Sequence, residues 1–141
     1  MNKLIETLHA EKCSCVMANG TDIRIFRQRG VADLYYLLTH EPQFMRGACI
    51  ADKVIGKAAA SLLIKGGIGQ VYADTISTPA LSLLKEHTVP VTYGTETHHI
   101  ENRTKTGWCP LEQLCYNEQS IDRMFDAISQ FIEKMQNEHK K

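Results

Sequence analysis

The most regular hydrophobic pattern lies at the end of the chain, where Ile121, Met124, Phe125, Ile128, Phe131, Ile132 and Met135 recur at helical spacing. This predicts a helix over residues 120 to 136 whose apolar stripe packs on its own domain or on a partner subunit. Upstream, a helix over about residues 2 to 11 is followed by two β runs, Cys13 to Ala18 and Ile23 to Arg27. Asn19-Gly20-Thr21-Asp22 between them predicts a hairpin, because Asn-Gly supplies the positive φ angles that a tight turn needs. Val31 to Leu38 is a short apolar segment, helical or irregular, that ends near His40-Glu41-Pro42.

The middle of the chain alternates. A nearly all-round apolar stretch over residues 52 to 64 predicts a buried helix, stopped by Gly66-Gly67. Val71 to Ile76 is β-branched and reads as a strand. It leads to Thr78-Pro79, where proline at a first helical position opens a helix through Leu84, and Val89 to Tyr93 reads as the next strand. After a polar loop, Pro110 opens a short helix. The order implies an α/β fold: a sheet with at least one parallel pair, covered by helices and preceded by a hairpin.

A length of 141 residues suits one domain, 1–141, with residues 118 to 141 as a C-terminal helix and polar tail. Sixteen Lys and Arg balance sixteen Asp and Glu, so no global field attracts a polyanion, and no nucleic-acid partner is expected. The beginning Met-Asn-Lys lacks a hydrophobic signal core, and no run reaches the roughly 20 apolar residues that span a bilayer. The expectation is a cytoplasmic protein without membrane contact. Five cysteines, an odd count, fit reduced thiols better than a disulfide framework, with Cys13 and Cys15 on one face of a strand in the core.

Charge in an apolar setting marks the candidate chemistry. Lys53 and Lys57 stand one turn apart in the expected buried helix, and a buried ammonium must meet a carboxylate, a phosphate or a wet cavity, or else snorkel to the rim. Asp52 stands where an Asx side chain caps a first turn, and that turn's free N–H groups favour anions. Asn102-Arg103 in the polar loop offers a planar fork for a carboxylate or phosphate, with plain surface solvation as the alternative. Cys109 precedes the short helix at Pro110, a setting that lowers a thiol pKa. A small packing residue is the simpler reading of it, and Glu112 either caps the same turn or acts on a ligand. No Cys, His or carboxylate spacing fits a zinc site, since Cys109 and Cys115 lie six apart and His98-His99 would point opposite ways on a strand. Gly66-Gly67-Ile68-Gly69 follows a helix rather than opening one, so it fails as a phosphate loop.

The element order, with Asp52-Lys53 to Ala60, Asn102-Arg103 and Cys109-Pro110-x-Glu112, resembles a small bacterial family of unknown function within the cytidine-deaminase-like superfamily, over about residues 2 to 117. The resemblance implies a three-layer sheet covered by helices, with the terminal helix as an extra element. Deaminases place a zinc ligand and, two residues on, a proton-shuttling Glu at the start of one buried helix, and Pro-Cys-x-x-Cys at the start of the next. Laid on this chain, the second signature falls at Pro79-Ala80-Leu81-Ser82-Leu83, with Ala80 and Leu83 in place of both cysteines. The first falls at Ala51-Asp52-Lys53, with Ala51 at the ligand and Lys53 at the acid/base position. Zinc-dependent deamination is thereby excluded, and neither a metal nor another cofactor is expected.

What remains implied is a deaminase-shaped pocket relined by Asp52, Lys53, Lys57, Asn102, Arg103, Cys109 and Glu112, suited to a small anionic or nucleotide-like ligand. The first functional reading is a zinc-free module that binds a nucleotide-like or phosphorylated small molecule. The alternative is a metal-independent enzyme in which Lys53 or Cys109 bonds covalently to a nucleotide-type substrate. Two expectations accompany them: Lys53→Met and Lys57→Met leave the apo fold as stable or more so, and the terminal helix contributes to a homodimer.

Overall fold

The computed structural model describes residues 1–11, 13–27, 31–98 and 110–139; for residues 110–112 and 135–139 only the backbone is described. Five strands form one sheet in the order β2-β1-β3-β4-β5. The strands are β1 (Cys15–Asn19), β2 (Asp22–Phe26), β3 (Cys49–Ile55), β4 (Gln70–Ser77) and β5 (Val91–Thr97). The hairpin is as the sequence predicts: Asn19 pairs with Asp22, and Gly20 takes φ of 62° in the turn. β1 also runs antiparallel to β3, whereas β3, β4 and β5 are mutually parallel. The two parallel crossovers are carried by α4 (Lys57–Lys65) and α5 (Thr78–Glu86).

The sheet separates two cores. Alternation along β1 sends Cys15 and Met17 into the larger one and Val16 into the smaller. The smaller core lies under α1 (Asn2–Ala10), whose Leu4 and Leu8 meet Cys13, Val16 and Ala51. Cys13 and Cys15 are therefore both buried, as expected, but in different clusters, because Cys13 precedes the strand. The larger core gathers Leu34 and Leu37 of α2 (Ala32–His40), Phe44 and Met45 of α3 (Pro42–Met45), and Ala58, Ala59, Ala60, Leu62 and Leu63 of α4. It is completed by Leu81, Leu83 and Leu84 of α5, Cys115 of α6 (Pro110–Cys115), and Met124, Ile128 and Ile132 of α7 (Ile121–His139).

The sequence places a helix over residues 52 to 64; the structure divides that stretch. Its first four residues belong to β3, Gly56 marks the corner, and the helix begins only at Lys57. Along β3 Ile50, Ala51 and Asp52 are buried in succession and Lys53 and Val54 exposed in succession, so no clean alternation gives the periodic signal of a strand. The helix stop at Gly66-Gly67 is confirmed in detail. Gly67 adopts φ of 77°, its N–H donates to Ile64 O and the Ile68 N–H donates to Leu63 O, the paired bonds of a Schellman cap. α5 begins as expected at Thr78-Pro79, and the Ser77 hydroxyl accepts the Ala80 N–H at 3.2 Å.

The terminal helix spends its stripe on its own core. Met124 and Ile128 are fully buried and Ile132 nearly so, while Phe125 stacks on Tyr35 at 5.8 Å between ring centroids. Lys65 at the end of α4 reaches Asp122 at 2.9 Å and lies 4.9 Å above the Phe125 ring. Met135 falls among the residues whose side chains are not described. Ile128→Ala should therefore cost about 2–5 kcal/mol in denaturant unfolding, the usual range for emptying a packed core site. A cost below about 0.5 kcal/mol, typical of surface changes, would mean that α7 is an appendage.

Candidate functional site

The parallel strands β3 and β4 deliver their carboxyl ends to the starts of α4 and α5, the place where open α/β sheets form their ligand crevices. A cleft of about 320 Å³ opens there, lined by Lys57, Thr78, Pro79, Ser82, Leu83, Glu86, Tyr116 and Gln119. Gly56 at the N-cap of α4 brings no capping side chain. On the α5 side, Thr78 is held in place, its hydroxyl donating to Glu96 Oε2 at 2.7 Å. The walls thus combine hydroxyls, one ammonium, one carboxylate, an amide and a tyrosine.

Lys57 carries the architecture of this corner. It is 5% exposed, and its Nζ donates to the carbonyl oxygens of Tyr116 at 2.9 Å and Glu118 at 2.7 Å. Those carbonyls lie in the connection that follows the end of α6 at Cys115, where no helix or strand ladder supplies them a partner. A lysine at the first position of α4 is unfavourable for that helix's own dipole, and the carbonyls offset the penalty. The Glu118 side chain finishes the connection by accepting the Gln119 and Ser120 N–H groups, which holds its carboxyl below the usual range. Ser120 then caps α7 through the Arg123 N–H.

Asp52 and Lys53 do not stand at a helix start. Both belong to β3, and their side chains part company: Asp52 is buried and Lys53 exposed. The Asp52 carboxylate accepts the Val54 N–H at 3.2 Å and lies across from Cys15 in the strand pairing. Burial is the chief cause that pushes its carboxyl up to about 7, only partly offset by the Val54 and Lys53 N–H groups. Burial and the same carboxylate raise the Cys15 thiol in turn. Ordinary alternation also breaks at this point, since Lys53 and Val54 are both exposed and Ile55 is again fully buried. Because the helix starts at Lys57, the positions two apart at its beginning are Lys57 and Ala59 rather than Ala51 and Lys53.

Of the seven residues read from the sequence, the structure puts Lys57 on the cleft and Asp52 and Lys53 on the neighbouring strand, off its lining. Asn102, Arg103 and Cys109 lie outside the described residues, as does the side chain of Glu112. Thr78, Ser82, Glu86, Tyr116 and Gln119 were not anticipated. A signal existed for the α5 wall, because Ser77-Thr78-Pro79 is a helix-opening sequence, and a helix opening after a parallel strand faces the crevice. Among the described residues no three His, Cys, Asp or Glu side chains converge on a point that could hold a metal ion.

The placement of Lys57 reverses the expectation that its removal is harmless. Lys57→Met orphans two carbonyls at roughly 1–3 kcal/mol each, so a loss of about 2 kcal/mol or more is expected in denaturant unfolding. An unchanged midpoint would show that the bonds contribute nothing. Asp52 gives a pH-dependent test. Its folded pKa lies above the unfolded value, so its contribution favours the fold most below pH about 4 and is lost as pH rises through about 7. Asp52→Asn should accordingly stabilise the protein at pH 8, by up to about 4 kcal/mol, with the gain vanishing toward pH 4. A gain independent of pH would refute this assignment.

No helix among the described residues is long and apolar enough to cross a membrane. No curated protein matches the sequence. Among solved structures, the chain is similar to a DUF1893 family protein (TM1506) from Thermotoga maritima, whose crystal structure was determined at 2.70 Å resolution. The two share 23% identity with a TM-score of 0.83 over 92% of this chain and 87% of that one, a likeness that shows the fold. The family model TM1506, Domain of unknown function (DUF1893), matches residues 3–132, and the chain belongs to this family.

Proposed function

We propose that this protein binds a small anionic, nucleotide-like or otherwise phosphorylated molecule in the cleft at the carboxyl ends of β3 and β4. The observation that carries the reading is the lining itself: Lys57, Thr78, Ser82, Glu86, Tyr116 and Gln119 surround one opening at the starts of two helices. The helix start at Gly56 and the exposed Ser82 hydroxyl suit an anion, while Glu86 and Gln119 can take the hydroxyls of a sugar. Tyr116, with 42% of its surface exposed, offers an aromatic face for a planar ring.

The finer assignment of the fold belongs to the same reading. Two adjacent parallel strands, each followed by a buried helix, and a proline-opened second helix support a cytidine-deaminase-like architecture. Ala80 and Leu83, both buried on α5, stand where that architecture would carry zinc-ligand cysteines. Binding without zinc is therefore the form of the proposal. Covalent chemistry draws no support from Lys53, which is exposed on β3 and off the cleft.

Thermal-shift measurements against a panel of nucleotides and sugar phosphates test the reading. A ligand at one hundred times its Kd adds about 2.7 kcal/mol, which moves the melting temperature by several degrees. Ser82→Trp, a change at an exposed position of α5, should fill the cleft and abolish the shift without lowering the ligand-free melting temperature. Arg103→Ala should weaken the shift, and rising salt should reduce it. A panel that leaves the wild-type melting temperature unmoved would sink the proposal.

A further inference from the structure

The two walls of the cleft differ in the hydrogens they can offer a ligand. On the α5 side the lining residues Thr78, Ser82 and Glu86 recur every four positions, so they form one row along a single face of the helix. Helical rise puts the first and last about 12 Å apart along the axis. Thr78 opens this row with its one hydroxyl hydrogen already committed. It donates to Glu96 Oε2 at 2.7 Å, and Thr97 O, a second acceptor, lies 3.2 Å away. What Thr78 can still offer a ligand is the lone pairs of its oxygen.

The backbone of that wall is equally short of hydrogens. Of the first three residues of α5, Pro79 has no N–H and Ala80 gives its N–H to the Ser77 hydroxyl at 3.2 Å. At the other end of the row Glu86 is the last residue of α5, where the helix dipole disfavours an acid. Among the described residues no hydrogen bond or ion pair occupies its carboxylate. It therefore stands on the cleft as an acceptor without a donor. Ser82, exposed midway along the row, can give or accept. The facing wall has the opposite character, since Lys57 brings positive charge and the Tyr116 phenol and Gln119 amide can donate.

We propose that the cleft takes its ligand in one orientation, with a flank of hydroxyl groups along α5 and the anionic group toward α4. The ligand class is then a phosphate carried on a polyhydroxylated body, a ribonucleotide or a sugar phosphate, and neither a bare phosphate nor a deoxygenated analogue. This inference rests on the cleft reading above and narrows it. A phosphate oxygen set against Thr78 or Glu86 meets lone pairs and a carboxylate, which repel it, whereas a hydroxyl at the same place donates. Thr78 and Glu86 are thus the residues that set specificity, and Glu96 positions Thr78 by holding its hydrogen.

Isothermal titration calorimetry on the full chain tests the assignment with matched probes. These are the four ribonucleoside 5′-monophosphates, their 2′,3′-dideoxy forms, ribose 5-phosphate, glucose 6-phosphate, inorganic phosphate and pyrophosphate. A hydroxylated probe should bind, and the dideoxy forms, phosphate and pyrophosphate should each bind at least about tenfold more weakly, because built acceptors then lose their donors. Thr78→Val and Glu86→Ala should each weaken the best hydroxylated probe, while Thr78→Ser, which keeps the oxygen, should bind it as the wild type does. The comparison of probes on the wild type needs no variant to fold. Ribose and dideoxy forms that bind equally, phosphate that binds as tightly as the best hydroxylated probe, or a Thr78→Val variant indistinguishable from wild type would overturn the orientation and leave the cleft reading standing. Binding by none of the probes would overturn both.

Discussion

The buried ammonium of Lys57 is the contact on which the cleft side of the molecule depends. Two carbonyl oxygens bracket it, and both belong to the connection between α6 and α7. By holding that connection to the first turn of α4, the lysine fixes where α7 begins. α7 then delivers Met124, Ile128 and Ile132 to the core shared with α2, α4 and α5. A hydrophobic residue in its place could fill the volume, but it could not satisfy the carbonyls, which lie where desolvation makes a missing partner expensive. The same bonds turn Tyr116 and Gln119 into one wall of the cleft, so a stabilising device also shapes the opening.

Asp52 is the opposite case, a buried acid that costs stability when ionised. β3 brings it beside Cys15, in a sheet whose neighbouring apolar residues exclude water. Its carboxylate accepts the Val54 N–H, while the Lys53 N–H donates to Ser14 O, and the strand loses its alternation at the same place. Beyond it the chain turns at Gly56 into α4. The irregular strand end thus leads through Gly56 directly into the helix whose first residue, Lys57, lines the cleft.

The opposite face of the sheet is built more sparingly. Among the described residues one nine-residue helix, α1, covers β1 and β3 through Leu4 and Leu8. His9 at its end meets Asp74 at 2.8 Å, and the Tyr72 hydroxyl donates to the same carboxylate oxygen at 2.7 Å. That hydrogen bond from Tyr72 is the main reason its phenol is held above the usual range. These exposed contacts orient α1 on the sheet and add little energy compared with its two buried leucines. Membership of a family defined only by its domain places the fold, and the chemistry must be read from the sites themselves.

What the sequence determined by itself was local: the Asn19-Gly20 hairpin, the helix stop at Gly66-Gly67, the opening of α5 at Thr78-Pro79, and the stripe of α7. Each follows from backbone preference or periodicity within a few residues, which needs no knowledge of neighbours. Tertiary structure alone decided the rest. Residues 52 to 55 became strand because β4 pairs along them and β1 meets Asp52 on the other side, and a short apolar run carries no period that distinguishes that outcome from a helix. Asp52 and Lys53, adjacent in sequence, were parted by the strand, one into the core and one into solvent. Lys57 was legible as a buried charge in need of a partner, but its partner proved to be two main-chain carbonyls about sixty positions away. Every residue has a carbonyl, so no side-chain pattern can announce which one a distant fold will bring to a lysine.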